Sequence, residues 1–344
     1  MTVAELILSP FSWLYGAIAH LRARAYRTGM LKSQRLPGIV ISIGNLTVGG
    51  TGKTPMVLWI AERLLAEGKT VGILTRGYRG ETLISPASDS VAASTSDEVR
   101  LLQSHLGQRV LFGIGSDRHR TGSLLAERGV EWFVLDDGFQ HLQLDRDVNI
   151  VLIDASNPFG GGRLLPAGRL RESQRALARA NLVVITRTSN APGLERAIQR
   201  YTDSPIFYAQ VSLNAIHYVE AGRLAGSITV DLVGKPFAFC GIGNPHSFLF
   251  TLRDSGIELA GHEFFPDHHR YTSTDLAQVV FAARAAGATA LICTEKDLYN
   301  LGDAFDGSLD LLCATISMNV ERADDFWHQI VSVANNKMPK KLED

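Results

Sequence analysis

Cysteine is scarce in this chain of 344 residues: three are present, Cys240, Cys293 and Cys313, odd in number and far apart. That excludes a disulfide framework and a CxxC metal site and fits a reducing compartment. An excess of one charge is also missing. With a formal net charge of −1 there is no overall pull toward nucleic acid, so no nucleic-acid partner is expected, and attraction to an anionic surface must come from a local patch. Long hydrophobic runs are absent too. Residues 6–19, LILSPFSWLYGAIA, fall short of the about 20 needed to span a bilayer, and Pro10 and Gly16 interrupt them. No basic n-region precedes this stretch and no small-residue cleavage site follows it, which predicts no secretory signal and a cytoplasmic chain.

What is present is a phosphate-binding loop. The β-branched run Ile39–Ile43 feeds into Gly44-Asn45-Leu46-Thr47-Val48-Gly49-Gly50-Thr51-Gly52-Lys53-Thr54-Pro55. Gly49, Gly50, Thr51 and Gly52 bring successive backbone N–H groups onto a polyphosphate, Lys53 reaches its β- and γ-phosphates, and the Thr54 hydroxyl suits Mg²⁺. The implied ligand is a nucleoside triphosphate. One departure stands out: the usual pattern begins with Gly where Thr47 stands. Residues 56–65 read as the following helix, with Pro55 tolerated in its first turn.

Further apolar runs at 71–75, 130–135, 148–154 and 182–186, interleaved with helical stretches, predict a parallel sheet and hence an α/β fold of the P-loop NTPase type, with a second, smaller α/β domain. The organisation expected is an N-terminal region over 1–35, a nucleotide-binding domain over 36–205, a connecting β ribbon over 206–235, and a C-terminal α/β domain over 236–335 that closes the cleft. Because ligands bind beyond the carboxyl ends of such strands, the phosphate loop, Arg76, Asp136 and the loop after Asp154 are expected to converge. At the N-terminus, Phe11, Leu14, Tyr15, Ile18, Leu21 and Ala25 fall on one side of a helix, followed by Arg22, Arg24, Arg27, Lys32 and Arg35. Two readings stand: a helix lying on a membrane surface, or a terminal helix packed on its own domain.

Asp136-Asp137 after an apolar strand is where a nucleotide-binding sheet holds hydrated Mg²⁺, the second carboxylate acting through water, on substrate or as a solvated turn residue. Gln140 and His141 continue that loop with ligand-suited groups. A base for an acceptor hydroxyl has two sources, Ser96-Asp97-Glu98 at a helix start and Asp267-His268-His269. Asp97 is otherwise a helix N-terminal acid, and the histidines surface groups or a metal site. The Gly- and Arg-rich stretch 159–172 suits phosphate or sugar, or is a solvated basic loop.

Together the motifs resemble the tetraacyldisaccharide 4'-kinase family along nearly the whole chain: GNLTVGGTGKTP at 44–55, GILTRGYRG at 72–80, LDDGFQH at 135–141, GRLLPAGRLRES at 162–173, GIGNP at 241–245, FPDHH at 265–269 and TEKD at 294–297. The resemblance implies ATP and Mg²⁺ as cofactors and a glycolipid acceptor, a tetraacylated glucosamine disaccharide 1-phosphate, phosphorylated on its 4'-hydroxyl for lipid A. It implies Asp97 with His268 as the catalytic pair beside Lys53, and a metal set of Thr54, Asp136 and Asp137. Asn45, Arg76, Gln140, His141, Arg171 and Glu172 are expected on the acceptor. It favours the interfacial reading of the N-terminal helix and places the chain at the cytoplasmic face of a Gram-negative inner membrane, with no obligate protein partner. The family's Gly-Asp-Glu-Pro reads Ser96-Asp97-Glu98-Val99 here. The rival is a P-loop switch or partitioning-type ATPase, whose signature Lys before the paired glycines is Val48 in this chain.

Overall fold

The computed structural model describes residues 3–76, 83–85, 96–220, 222–230, 234–302, 304–305 and 307–337. Residues 77–80, the end of the GILTRGYRG motif, lie outside the described residues. Two compact units emerge: one comprises Met1–Thr95, Gln103–Gln210 and Asn319–Asp344, the other Ser96–Leu102 and Val211–Met318.

In chain order the first unit holds α1 (Val3–Arg27), β1 (Ile39–Asn45), α2 (Lys53–Ala66), β2 (Val71–Thr75) and β3 (Leu83–Ser85). α3 (Asp97–Leu106) starts in the second unit, and β4 (Leu111–Ile114), α4 (Arg118–Ala126), β5 (Trp132–Asp136), β6 (Val148–Asp154), β7 (Leu182–Thr186) and α5 (Pro192–Gln199) follow. Its strands run β7-β6-β1-β5-β2-β4-β3, all parallel except β3, which is antiparallel on β4. Residues along β1, β2, β5, β6 and β7 are buried throughout, as expected of strands covered on both faces. That is why these strands read as continuous apolar runs instead of alternating ones.

β8 (Ile206–Glu220) begins beside β7 and leads into the second unit, where it pairs antiparallel with β9 (Arg223–Ile228). There follow β10 (Phe237–Cys240), α6 (Pro245–Asp254), β11 (Gly261–Phe264), α7 (Ser273–Ala285), β12 (Leu291–Thr294), α8 (Glu295–Leu301) and β13 (Leu311–Val320). The strands lie parallel in the order β11-β10-β12-β13. Strand alternation sorts the core into two layers: Phe239, Cys293 and Cys313 pack with Leu276, Val279 and Ala283 of α7, while Ala238, Cys240, Ile292 and Leu312 pack with Phe248, Leu249 and Leu252 of α6. All three cysteines are free, buried and used as small hydrophobes. The last helix, α9 (Ala323–Lys337), returns to the first unit, where Phe326 sits 5.5 Å from the Trp59 ring and 5.0 Å from Phe207.

Among the described residues no helix is long and apolar enough to cross a membrane. α1 runs unbroken through Pro10 and Gly16, which the sequence marks as interruptions. Its inner side is the one with small residues: Ser12 donates to the Leu164 carbonyl at 3.0 Å and accepts from the Ala167 amide at 2.9 Å, and a Cβ on Gly16 would stand 2.5 Å from Leu164. The opposite side leaves Ile7, Phe11, Leu14, Ile18 and Leu21 exposed, flanked by Trp13 and Tyr15.

Candidate active site

β1 ends at Asn45, and the chain turns through the glycines into α2. Gly49 takes φ 117° and Gly52, the residue before the first turn, φ 89°, backbone shapes that a side chain resists. Gly52 supplies no side-chain cap. The amides at the start of α2 are therefore free of a side-chain competitor and suit an anion, with the helix dipole adding to the attraction. The loop is held from outside through its carbonyls. Arg169 donates from Nε and Nη2 to Val48 O at 3.2 and 3.1 Å, Arg187 from Nη2 to Gly50 O at 3.0 Å, and the buried Thr186 hydroxyl to Thr51 O at 3.2 Å. Asn45 Nδ2 donates to Thr51 Oγ1 at 2.9 Å. Turning carbonyls outward points the neighbouring N–H groups inward.

Asp136 closes β5 beside β1, with Ile43 as its register partner, and accepts from the Thr75 hydroxyl at 3.4 Å. Asp137 follows at φ 49° and meets two cations: Lys53 Nζ lies 3.5 Å from Oδ1, and Arg171 Nη1 donates to Oδ2 at 2.6 Å. Burial works against its charge, but Lys53 and Arg171 outweigh that and hold the carboxyl below its ordinary range. The donor set at this strand end, the buried Thr54 hydroxyl and the Asp136 and Asp137 carboxylates, is of the hard oxygen type that suits Mg²⁺.

The loop after β5 is fixed in turn. Gln140 Nε2 donates to Asn45 O at 2.9 Å, its Oε1 lies 3.5 Å from Arg171 Nη1, and its carbonyl accepts from Arg22 of α1 at 3.2 Å. Arg118 Nη1 approaches His141 Nδ1 at 3.2 Å, which makes the imidazole the acceptor. Burial, then the charges of Arg118, Arg146 and Arg22, push His141 down to about 4, so it stays neutral at physiological pH. Arg76, exposed, leaves β2 two strands from β1. Glu172 is buried and takes Arg179 Nη2 at 2.8 Å, so its carboxylate is spent on a structural partner, and Arg179 also stacks 4.5 Å over Phe139. Thus Asn45, Lys53, Asp136, Asp137, Gln140, His141 and Arg171 gather at the carboxyl ends of β1 and β5. Sequence reasoning missed Arg118 and Arg187 and had Arg169 only as part of the Gly- and Arg-rich stretch; an arginine bound to a backbone carbonyl, as Arg169 and Arg187 are, leaves no motif.

The second unit brings together Asp97 and His268, 171 residues apart: His268 Nδ1 lies 3.0 Å from both Asp97 carboxylate oxygens. Glu98 Oε1 and Asp267 Oδ2 each stand 3.8 Å from His268 Nε2. The hydrogen bond to Asp97 raises His268 to about 9 against the drag of burial, with Glu98 and Asp267 adding to it. Burial favours the neutral acid at Asp97, but the side chains of His268, Glu98 and Lys296 overcome it and lower that carboxyl well below the usual range. At neutral pH the pair is a carboxylate and an imidazolium sharing one bond. His269 takes no part: it pairs with Asp275 at 3.1 Å and stacks on Phe265. Asp97, Glu98 and His268 are the one group of three His, Cys, Asp or Glu side chains among the described residues close enough together to share a metal ion, and Lys296 already occupies Glu98 at 2.8 Å.

The chain is similar to known proteins over most of its length. The family model for tetraacyldisaccharide-1-P 4'-kinase, LpxK, matches residues 4–335. A tetraacyldisaccharide 4'-kinase of Geobacter metallireducens is 40% identical over 325 residues, covering 91% of this chain and 94% of its own, and one from Pelobacter propionicus is 41% identical over 300 residues, covering 85% and 81%. Among solved structures, LpxK from Aquifex aeolicus in complex with ATP is similar with a TM-score of 0.71 at 30% identity, covering 96% of this chain and 100% of that one. On this match over nearly its full length, the chain belongs to the tetraacyldisaccharide-1-P 4'-kinase family.

Proposed function

We propose that the chain uses the first unit's strand ends to transfer the γ-phosphoryl group of ATP to the 4'-hydroxyl of a tetraacylated glucosamine disaccharide 1-phosphate, a step in lipid A synthesis, with Asp97 and His268 receiving the hydroxyl proton. The observation that carries it is Lys53, first residue of an uncapped helix after the glycine loop, set 3.5 Å from Asp137 at the end of the neighbouring strand.

Phosphoryl transfer asks mainly for positioning and for cations where charge develops. The first-turn amides of α2 and the Lys53 ammonium bind the phosphates. Thr54 and Asp136, with Asp137 through water, would hold Mg²⁺, which when bound offsets charge between the β- and γ-phosphates. Asp137 also fixes Lys53 and Arg171 relative to each other. The acceptor hydroxyl donates to the Asp97–His268 pair in the form whose imidazole is neutral, its oxygen bonds to phosphorus as the bond to the ADP oxygen breaks, and the imidazole takes the proton and passes it to water. Asn45, Arg76, Gln140, His141 and Arg171 are the acceptor's polar contacts, and Glu172 shapes that wall through Arg179.

The exposed stripe of α1 suits a membrane surface. Ile7, Phe11, Leu14, Ile18 and Leu21 enter the headgroup boundary, with Trp13 and Tyr15 at its edge and Arg24, Arg27 and Lys32 on anionic lipid. The acceptor's acyl chains then stay in the leaflet while Arg22 of the same helix touches the loop after β5. The stripe supports reading the protein as peripheral at the cytoplasmic face of the inner membrane.

The test is transfer of label from [γ-³²P]ATP to detergent-dispersed tetraacyl disaccharide 1-phosphate, with Lys53→Ala as control. Labelled bisphosphorylated lipid from the wild type alone is expected. ATP hydrolysis without labelled lipid would sink the assignment.

A further inference from the structure

The TEKD motif opens α8, and the transfer chemistry leaves it without a role. Its side chains run in two directions. Lys296 Nζ donates to Glu98 Oε1 at 2.8 Å, and the Tyr299 carbonyl accepts from Arg100 Nη1 at 2.9 Å, so α8 grips the first turn of α3, where Asp97 sits. Asp297 points inward and is buried. Its Oδ1 accepts from the Gly241 amide and from the Tyr271 hydroxyl, each at 2.7 Å, and its Oδ2 from Thr294 Oγ1 at 2.5 Å.

Those contacts continue to the histidine. The Gly241 carbonyl accepts from the His268 amide at 3.0 Å, and the Tyr271 amide donates to the Asn300 carbonyl at 3.2 Å. The loop bearing His268 is thereby tied to α8 on either side. It needs such ties, since His268 stands at φ 61°, a shape a non-glycine residue holds only when its surroundings impose it. Lys296 has a second effect. Glu98 Oε1, the oxygen it binds, lies 3.8 Å from His268 Nε2, close enough for the carboxylate to take the imidazole if released.

We propose that α8 aligns the transfer pair, with Lys296 and Asp297 as positioning residues: Lys296 fixes the turn bearing Asp97 and keeps Glu98 off the imidazole, and Asp297 fixes the loop bearing His268. This rests on the reading of Asp97 and His268 as the proton acceptor.

The experiment compares full-length wild type with Lys296→Met, Lys296→Arg and Asp297→Asn by kcat, KM for ATP and the lipid, thermal unfolding, and imidazole titration of His268 by NMR. Lys296→Met is expected to lower kcat about tenfold with KM for ATP unchanged, to shift the His268 titration upward as Glu98 is freed, and to cost nothing further in an Asp97→Asn background. Lys296→Arg should restore both kcat and titration. Equal losses in both backgrounds, or an unmoved titration, would overturn the proposal and leave α8 a structural support. Should Asp97→Asn and His268→Gln keep wild-type kcat, the proton-acceptor reading fails by itself. The titration then decides for α8: moved upholds its hold on the pair, unmoved removes it. If Asp297→Asn does not fold, the lysine variants carry the decision.

Discussion

Replacing Gly49 with alanine puts the shape of the phosphate loop to a quantitative test. At φ 117° the new residue is strained whatever its surroundings, and its Cβ would stand 2.4 Å from Arg169 Nη2. Backbone strain of this kind costs about 1–3 kcal/mol. The guanidinium can retreat, but it then gives up its hydrogen bonds to the Val48 carbonyl, worth about 1 kcal/mol net at a solvent-exposed site. The sum, about 2–4 kcal/mol, corresponds to a loss of about 30- to 1,000-fold in nucleotide affinity at about 1.4 kcal/mol per tenfold, provided the bound loop keeps this shape. Isothermal titration with a non-hydrolysable ATP analogue and Mg²⁺ measures it, and thermal unfolding checks that the fold survives. Gly50 is the internal control, because a Cβ there meets nothing within 4 Å and its φ is not left-handed. Gly50→Ala should bind close to wild type. Unchanged affinity in Gly49→Ala, or equal losses in both variants, would refute the link from φ and Arg169 to binding.

The Asp97–His268 pair predicts a pH–rate profile. With His268 at about 9, the form able to accept a proton fills as pH rises, so log kcat should climb with unit slope and level off above about 9, a limb that His268→Gln removes. The stability linkage runs the other way: the stabilisation from His268 is complete below its ordinary 6.5 and is lost as pH rises through about 9, while that from Asp97 is present above its ordinary 3.8 and is lost as pH falls below it. Urea titrations across pH should show both edges. Lys53→Ala should lower kcat on the order of 10²-fold or more without lowering the unfolding temperature much. Phe326→Ala, at a fully buried ring between Trp59 and Phe207, should cost about 3–5 kcal/mol in a urea titration. Phe11→Asp with Leu14→Asp should abolish co-sedimentation with anionic vesicles and spare transfer in detergent; retained sedimentation would rule out α1 as the membrane contact.

What was legible in the sequence follows from how each feature is encoded. β2, β6 and β7 are readable to the residue because burial on both faces demands unbroken apolar runs between polar turns. α2 starts three residues before its apolar pattern, since Lys53, Thr54 and Pro55 carry none of the apolar periodicity that begins at Met56. The pairing of Asp97 with His268 leaves no local trace: 171 residues separate them, and either reads as a surface residue alone. The seven residues Ser96–Leu102, which group with the second unit, carry no boundary signal on either side. For α1 the periodicity is plain but its orientation is not. The same stripe serves a helix packed inward or outward, and only Ser12 and Gly16 against Leu164 reveal that the small-residue side is the inner one.

The missing first glycine of the phosphate loop shows how two motifs can look like one defect and one accessory. Thr47 breaks the pattern, and the Gly- and Arg-rich stretch around 160–171 reads as a separate basic loop. In the structure they are one object. Thr47 forms an antiparallel bridge with Leu170, the Val48 amide donates to Arg169 O at 2.8 Å, the Arg171 amide donates to Leu46 O at 2.7 Å, and the Arg169 guanidinium returns to Val48 O. A strand-like pairing demands extended backbone at 47, which Thr adopts more readily than Gly, and the flexibility a glycine would supply there is not needed. The turn into the phosphates begins instead at Gly49, where the left-handed φ first appears. The departure at Thr47 therefore marks where the loop is anchored, and the arginine-rich stretch is the anchor. The last residue of that stretch, Arg171, continues to Asp137 and so ties the anchor to the carboxylate that also meets Lys53.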